Sequence, residues 1–163
     1  MNNTVFIVLL TWFLGNMGIH LLTPQLPLFT NTLGISGHYA QMSISLFLLG
    51  KSLGVLVWGP LAEIHGRRPY MLIGLILYGG AALLITLSNH ITEILLLRFV
   101  QGLGVSATVL IGRTIINDCF PEKKAVKAFA LLFTLAGVII ACLPMLGGIL
   151  AQFSNWQSSF YVM

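Results

Sequence analysis

Two basic side chains lie inside long apolar stretches of the sequence, where a charge is costly and usually serves a function. Lys51 follows fifty residues without Asp, Glu, Lys or Arg, and Arg98 is followed one helical turn later by Gln101. His20 is the one histidine within a predicted membrane span, and an imidazole titrates near neutral pH. We therefore predict that His20, Lys51, Arg98 and Gln101 line a cavity or help to move a proton.

Each titratable group also has a less specific interpretation. The long side chains of Lys51 and Arg98 can instead extend to a membrane interface, and His20 can be a hydrogen-bonded residue at a helix end. The four carboxylates of the chain fall at predicted span ends or in loops, so neither cation has an obvious buried partner. The sequence alone leaves these alternatives open.

The composition indicates that a membrane surrounds these charges. Of the 163 residues, 57% are hydrophobic and 7% are charged, against about 25% charged residues in ordinary soluble domains. Eight basic and four acidic residues cannot cover the surface of a soluble domain of this length. The composition therefore excludes a water-soluble enzyme, a nucleic-acid-binding protein and a disordered tail, and it predicts an all-α membrane protein.

Five apolar stretches are long enough to cross about 30 Å of hydrocarbon as helices. We predict one transmembrane domain over residues 1–163, with spans at about 4–23, 40–62, 70–88, 93–115 and 126–150. A sixth span begins near residue 158, just before the sequence ends at Met163.

Most basic residues lie in the loop after span two or in and beside the loop after span four, and basic residues favour the cytoplasmic side. They are Arg67, Arg68, Arg113, Lys123, Lys124 and Lys127. We therefore expect the N-terminus and the loops at 63–69 and 116–125 to be cytoplasmic.

Other kinds of chemistry lack support in the sequence. Cys119 falls at the end of one hydrophobic span and Cys142 inside the next, and neither belongs to a metal-ligand cluster, so we expect neither a disulfide nor a metal site. The Gly102-x-Gly104 pair falls inside a span, without the strand and turn that a nucleotide site needs. We expect a protein that is not an enzyme, that has no cofactor and that does not bind nucleic acid.

Residues 59–68 read G-P-L-A-E-I-H-G-R-R and join spans two and three through a short turn. Gly66 permits a tight turn, and Glu63 faces Arg67 and Arg68 across it, where a salt-bridge latch can form. This stretch resembles the signature loop of the major facilitator superfamily of transporters, G-x-L-x-D-x-x-G-R-R/K. By that resemblance Gly59, Glu63, Gly66, Arg67 and Arg68 form a cytoplasmic gating loop.

Three further stretches agree with this resemblance, and residues 23–27 among them resemble the Bcr/CflA-type drug-resistance branch of the superfamily. Residues 97–104 resemble the span-four motif R-x-x-Q-G-x-G, which implies that Arg98 and Gln101 line the cavity and take part in proton coupling. Residues 23–27 resemble the element that ends span one in that branch. Residues 137–150 resemble the span-five motif of drug/proton exchangers, which implies a helix bend formed by Gly137, Pro144, Gly147 and Gly148.

The resemblance implies the N-terminal half of a major facilitator fold. The implied function is secondary active efflux of small molecules or drugs across a bacterial inner membrane, driven by the proton gradient. Because transport in this superfamily needs two halves, we expect activity to require a C-terminal half or a second copy. The alternative is a truncated or split fragment that inserts into the membrane without transport of its own.

The sequence also departs from the family pattern. Glu63 stands where Asp is usual, Ile64 replaces a frequent Arg, and His20 stands where relatives often carry an intramembrane Asp. Lys51 occupies a position that is usually apolar. A cation in the cavity favours an anionic or zwitterionic substrate over a cationic drug.

Overall fold

A computed structural model describes residues 2–153 and 155–163, and side chains from Phe6 onward except that of residue 153. The described residues form seven α-helices and one short 3-10 turn. The elements are α1 (Asn2–His20), the 3-10 turn (Thr23–Gln25), α2 (Leu26–Leu33), α3 (Gly37–His65), α4 (Arg67–Leu87), α5 (Ile91–Cys119), α6 (Glu122–Phe153) and α7 (Ser158–Val162).

Five helical stretches are long and apolar enough to cross a membrane, which confirms the predicted all-α fold with five spans. They are Phe6–Leu33, Gly37–His65, Arg67–Leu87, Ile91–Cys119 and Glu122–Gln152. Spans two, four and five extend beyond their predicted bounds at both ends. The predicted start of a sixth span coincides with α7.

The predicted end of span one at residue 23 is wrong, because helical structure resumes after a break and continues to Leu33. The break comprises residues 21 and 22 and the 3-10 turn that follows. Pro24 and Pro27 each lie in the first turn of the element they begin, where a missing N–H costs little. Gly34, with φ +62°, ends α2 in the left-handed conformation.

Helix α5 is the central element, because α1, α3 and α4 all pack against it. Small residues bring the backbones together: a Cβ on Gly102 would overlap the carbonyl oxygen of Phe47 in α3. A Cβ on Gly104 would lie 2.6 Å from the backbone nitrogen of Tyr78 in α4. Close backbone approach through small residues is typical of membrane helix packing. Helix α6 packs mainly on α1, outside this central group.

A single residue, Gly66, links α3 to α4, so the predicted loop at 63–69 is almost entirely helical. Its φ of +90° is a conformation that side chains with a Cβ rarely adopt. The predicted loop at 116–125 is likewise reduced to Phe120 and Pro121 between α5 and α6.

Candidate functional site

Arg98 is completely buried near the middle of the helix group. Its Nη1 donates one hydrogen bond to the carbonyl oxygen of Gly18 (3.0 Å) and another to Oε1 of Gln101 (2.9 Å). The guanidinium carbon lies 4.7 Å from the ring centre of Phe160 and 5.6 Å from that of Phe47. Arg98 therefore joins α1, α3, α5 and α7, and the alternative that it extends to an interface is wrong.

The bond to Gly18 stabilises the break in span one. Because α1 ends at His20, its last carbonyl groups need donors from outside the helix. Arg98 supplies a donor for Gly18, and the hydroxyl of Thr23 supplies one for Ile19 (2.8 Å). The buried Arg98 and the broken first span thus form one structural unit.

Part of the Arg98 guanidinium has no partner in the described structure. Its Nε and Nη2 are buried without a hydrogen-bond acceptor. A buried cation that lacks a carboxylate is costly, and such groups in membrane spans commonly mark functional sites. Among the sequence candidates, Arg98 and Gln101 are brought together as predicted.

Lys51 lies midway along α3, about 20 Å from either end of that helix. Its side chain is partly exposed, and no ion pair or hydrogen bond joins it to another described residue. Because Lys51 is equally far from both ends of α3, it lies at the middle of this candidate span. Its backbone packs against Gly102 of α5.

The structure adds Arg113, which sequence reasoning treated only as a marker of orientation. Because α5 continues to Cys119, Arg113 lies about 9 Å inside that helix, and it is exposed. Its guanidinium carbon lies 5.9 Å from the ring centre of Trp12 in α1. The position could have been found from the sequence, since the apolar stretch of span four continues past residue 113.

His20 is the remaining candidate of the predicted cavity group. His20 is partly buried at the end of α1. The prediction that it is the one histidine within a span is wrong, because His38 and His65 lie in the first and last turns of α3.

The gating loop contains an ion pair that differs from the predicted one. Nε of Arg67 lies 2.7 Å from Oδ2 of Asp118, near the end of α5. No ion pair joins Glu63 to Arg67 or Arg68 in the described residues, so the predicted pairing is wrong in this structure. The reason is that α4 packs along α5, which brings the first residue of α4 to the last turn of α5.

The four residues of the predicted helix-bend motif in α6 have different surroundings. Gly147 is buried against the carbonyl of Leu21, and its own carbonyl oxygen accepts a hydrogen bond from Nε2 of Gln25 (3.1 Å). A Cβ on Gly137 or Gly148 would meet no atom within 4 Å. Pro144 is exposed within the helix and leaves the carbonyl of residue 140 without its helical donor.

Gln25 is a second residue that the sequence candidates did not include. It is completely buried, and its amide joins the 3-10 turn of span one to α6. Its Oε1 has no partner in the described residues. Gln25 lies within residues 23–27, which from the sequence were interpreted only as the element that ends span one.

Five apolar helices long enough to cross a membrane define a multi-pass membrane protein. Residues 5–163 match the family model of the Major Facilitator Superfamily. The chain belongs to this superfamily of transporters, as the gating-loop motif predicted.

Relatives point to the drug-resistance branch of the superfamily. The chain is 33% identical over 92% of its length to an uncharacterized MFS-type transporter, YdgK, of Bacillus subtilis. It is 30% identical over 98% of its length to the bicyclomycin resistance protein homolog of Haemophilus influenzae, and 31% identical over 88% to the chloramphenicol resistance protein CraA of Acinetobacter baumannii. The resemblance to Bcr/CflA-type proteins is confirmed, and these names are those of transporters and resistance proteins rather than of enzymes.

The match covers only part of each relative. The chain spans 38% of the B. subtilis protein, 41% of the H. influenzae protein and 35% of the A. baumannii protein. The chain therefore spans less than half the length of each of these relatives.

Proposed function

We propose that the chain forms the N-terminal part of a proton-coupled efflux transporter for small molecules or drugs. It is driven by the proton gradient, needs no cofactor, and works with a C-terminal half or a second copy. The observation that carries this proposal is Arg98, a fully buried and partly unpaired cation beside the break in span one. A costly charge at that depth is expected where a membrane protein moves a solute or a proton.

The Arg98–Gln101 pair and His20 have different proposed roles. Arg98 and Gln101 hold the broken span in place, and His20 is the candidate that binds and releases a proton, since it is partly exposed at the end of α1. The gating loop, through Arg67 and Asp118, joins the ends of α4 and α5 and biases the inward and outward states.

We place the protein in the inner membrane with its N-terminus in the cytoplasm. Arg67, Arg68, Lys123 and Lys124 support this orientation, because they lie at the ends of spans where α3 meets α4 and α5 meets α6. Cys119 is free and exposed at that end. In a Cys142→Ser background, a membrane-impermeant maleimide should therefore label Cys119 in inside-out vesicles and not in intact cells; the reverse result would contradict this orientation.

The transport proposal is tested in cells that lack their own drug exporters. The chain would be expressed alone and joined to the remaining residues of the H. influenzae relative, and accumulation of several dyes and antibiotics would be measured with and without a protonophore. We expect the joined form to lower accumulation in a protonophore-sensitive manner, and Arg98→Met to abolish the effect. Gly80→Ala is the control, because a Cβ there meets no atom within 4 Å and the residue belongs to none of the motifs.

Other outcomes separate the alternatives. Efflux by the chain alone would show that a second copy supplies the missing half or that none is needed. A joined form that inserts into the membrane and leaves accumulation unchanged would favour the alternative of an inserted fragment without transport activity.

A further inference from the structure

Arg113 is a cation without an anionic partner among the residues that the structure describes. Its side chain is exposed, and its contact with a neighbouring helix is to the ring of Trp12, 5.9 Å from the guanidinium carbon. The carboxylate that follows it on α5, that of Asp118, is paired with Arg67. An unpaired guanidinium within a candidate span is costly, so we expect a group from outside the chain to neutralise it.

A narrow crevice lies where this guanidinium meets α1 and α6. Helix α6 packs mainly on α1, which leaves space between α5 and α6. Val8 and Leu132 are the buried residues of its lining, and no acidic residue belongs to that lining. We call this space the Arg113 crevice; it is lined by Val8, Trp12, Arg113, Phe129, Leu132 and Phe133.

Aromatic rings form a continuous apolar wall of the Arg113 crevice. Trp12 of α1 meets Phe133 of α6 edge-to-face, with ring centres 5.5 Å apart, and Phe133 stacks on Phe129 at 6.2 Å. Phe133 is exposed, while Trp12 and Phe129 are partly exposed. Phe129 also lines a wider, open cleft that continues toward the junction of α5 and α6. The crevice therefore offers one positive group and an accessible apolar surface beside it.

The position of Arg113 along α5 places the crevice near one surface of the membrane. Helix α5 has 29 residues, so it is about 43 Å long and exceeds the hydrocarbon thickness by about 13 Å. If these residues extend equally on both sides, the hydrocarbon ends about 7 Å before the end of α5. Arg113 lies about 9 Å before that end, and the length of its side chain allows the guanidinium to reach the headgroups.

We propose that the Arg113 crevice binds an anionic phospholipid. The phosphate pairs with the guanidinium of Arg113, and one acyl chain lies along the rings of Phe129 and Phe133. Arginine donates paired hydrogen bonds to phosphate, and basic pockets between membrane spans are typical sites for phospholipid headgroups. A phospholipid fits this site better than a soluble anion, because it presents a phosphate and an apolar chain at the depth where Arg113 and the rings lie. This binding does not depend on the transport function proposed above.

The test uses bromine atoms on acyl chains, which quench the fluorescence of a tryptophan that they contact. The full chain would be reconstituted in phosphatidylcholine vesicles with increasing fractions of brominated phosphatidylglycerol or brominated phosphatidylcholine. The quenching of Trp12 is obtained as the difference between the unaltered chain and Trp12→Phe. We expect the fraction of phosphatidylglycerol that gives half of this quenching to be about fivefold lower than that of phosphatidylcholine.

Substitutions and competitors locate the site and identify its ligand. Arg113→Gln should abolish the preference for phosphatidylglycerol, and Arg113→Lys should retain part of it. Lys124→Met is the matched control, because it removes one positive charge from an exposed position on another side of α6 from Phe129, and it should keep the preference. Unbrominated phosphatidylglycerol should relieve the quenching in the unaltered chain, whereas glycerol phosphate, which lacks acyl chains, should not.

Four results would overturn the proposal. They are equal quenching by the two brominated lipids, an Arg113→Gln protein that folds and keeps the preference, an equal loss of preference in Lys124→Met, and relief of the quenching by glycerol phosphate. The last result would indicate a site for soluble anions. If Arg113→Gln fails to fold, as judged by circular dichroism, the comparison of the competitors in the unaltered chain still decides the outcome.

Discussion

The two arginines of α5 lie on the same helix and have opposite surroundings. Arg98 is fully buried, hydrogen-bonded to Gly18 and Gln101, and enclosed by two phenylalanine rings. Arg113 is exposed and lies beside Trp12. The first cation is fixed by its neighbours, whereas the second lies at the surface of the helix group.

This difference reflects where each arginine lies along α5. Gly102 and Gly104, one to two turns after Arg98, admit the backbones of α3 and α4, so this part of α5 is closed. Arg113 follows Gly102 by eleven residues, so it lies on nearly the same side of the helix and about three turns farther along it. Two charges on one side of a helix thus differ in exposure through their position along it.

The largest expected effect comes from enlarging a glycine at the close backbone contact between α3 and α5. Gly102→Val places atoms on the carbonyl of Phe47 and should separate α3 from α5, with a loss of about 3 kcal/mol of stability. Gly148→Val, in α6, meets no neighbour and should change stability far less. Reversible unfolding of both variants by SDS in mixed micelles measures the difference, and equal losses would contradict the close approach of α3 and α5.

The second prediction compares the buried, hydrogen-bonded Arg98 with the partly exposed Lys51, which has no partner in the described residues. Arg98→Met leaves Gly18 and Gln101 without their donor, at about 1–3 kcal/mol each, and part of this is offset by removing two unpaired donors. We expect a net loss of about 2 kcal/mol. Lys51→Met removes a charge without a partner and should leave stability unchanged or raise it; the opposite ranking in the same unfolding assay would reverse the assignment of roles.

The third prediction compares two glycines of the gating loop, Gly66 in the link between α3 and α4 and Gly59 within α3. Gly66→Ala forces a Cβ into the conformation at φ +90° and should cost about 1–2 kcal/mol. Gly59→Ala brings its Cβ only within ordinary contact of Leu110, at 3.8 Å, and should be neutral or slightly stabilising. Thermal unfolding of the two variants in detergent would reveal the difference, and a destabilised Gly59→Ala protein would argue against the contact described.

The smallest effect concerns the ion pair at the end of α5. Asp118→Asn removes the partner of Arg67, but both side chains are partly solvent-exposed, so the loss should be under about 1 kcal/mol and should shrink at high salt. Glu63→Gln is the control, since Glu63 forms no ion pair in the described residues. A larger loss for Glu63→Gln than for Asp118→Asn would restore the pairing that the sequence predicted.

The number of spans and the Arg98–Gln101 pair could be predicted because both depend on local properties. Apolar length defines a span, and a spacing of three residues places two side chains on one helix face. The partners of Arg98 in α1 and α7 depend on packing between distant segments, which no spacing encodes.

Helix ends account for the two errors with functional consequences. Placing the end of span four near residue 115 made Arg113 a loop marker, although α5 continues to Cys119. Placing the end of span one at residue 23 hid the break and the contact between Gln25 and Gly147. In both places a polar residue suggested a helix end. In the structure Arg113 lies beside the ring of Trp12, and Gln25 donates a hydrogen bond to the carbonyl of Gly147.

The one-residue link at Gly66 limits the relative motion of α3 and α4 as mechanical parts. With Gly66 alone between them, the Cα atoms of His65 and Arg67 can separate by at most about 7 Å. The two helices therefore cannot slide past one another by a large axial distance. Their angle can still change at Gly66, so a displacement of the joined end of α3 also displaces the first turn of α4.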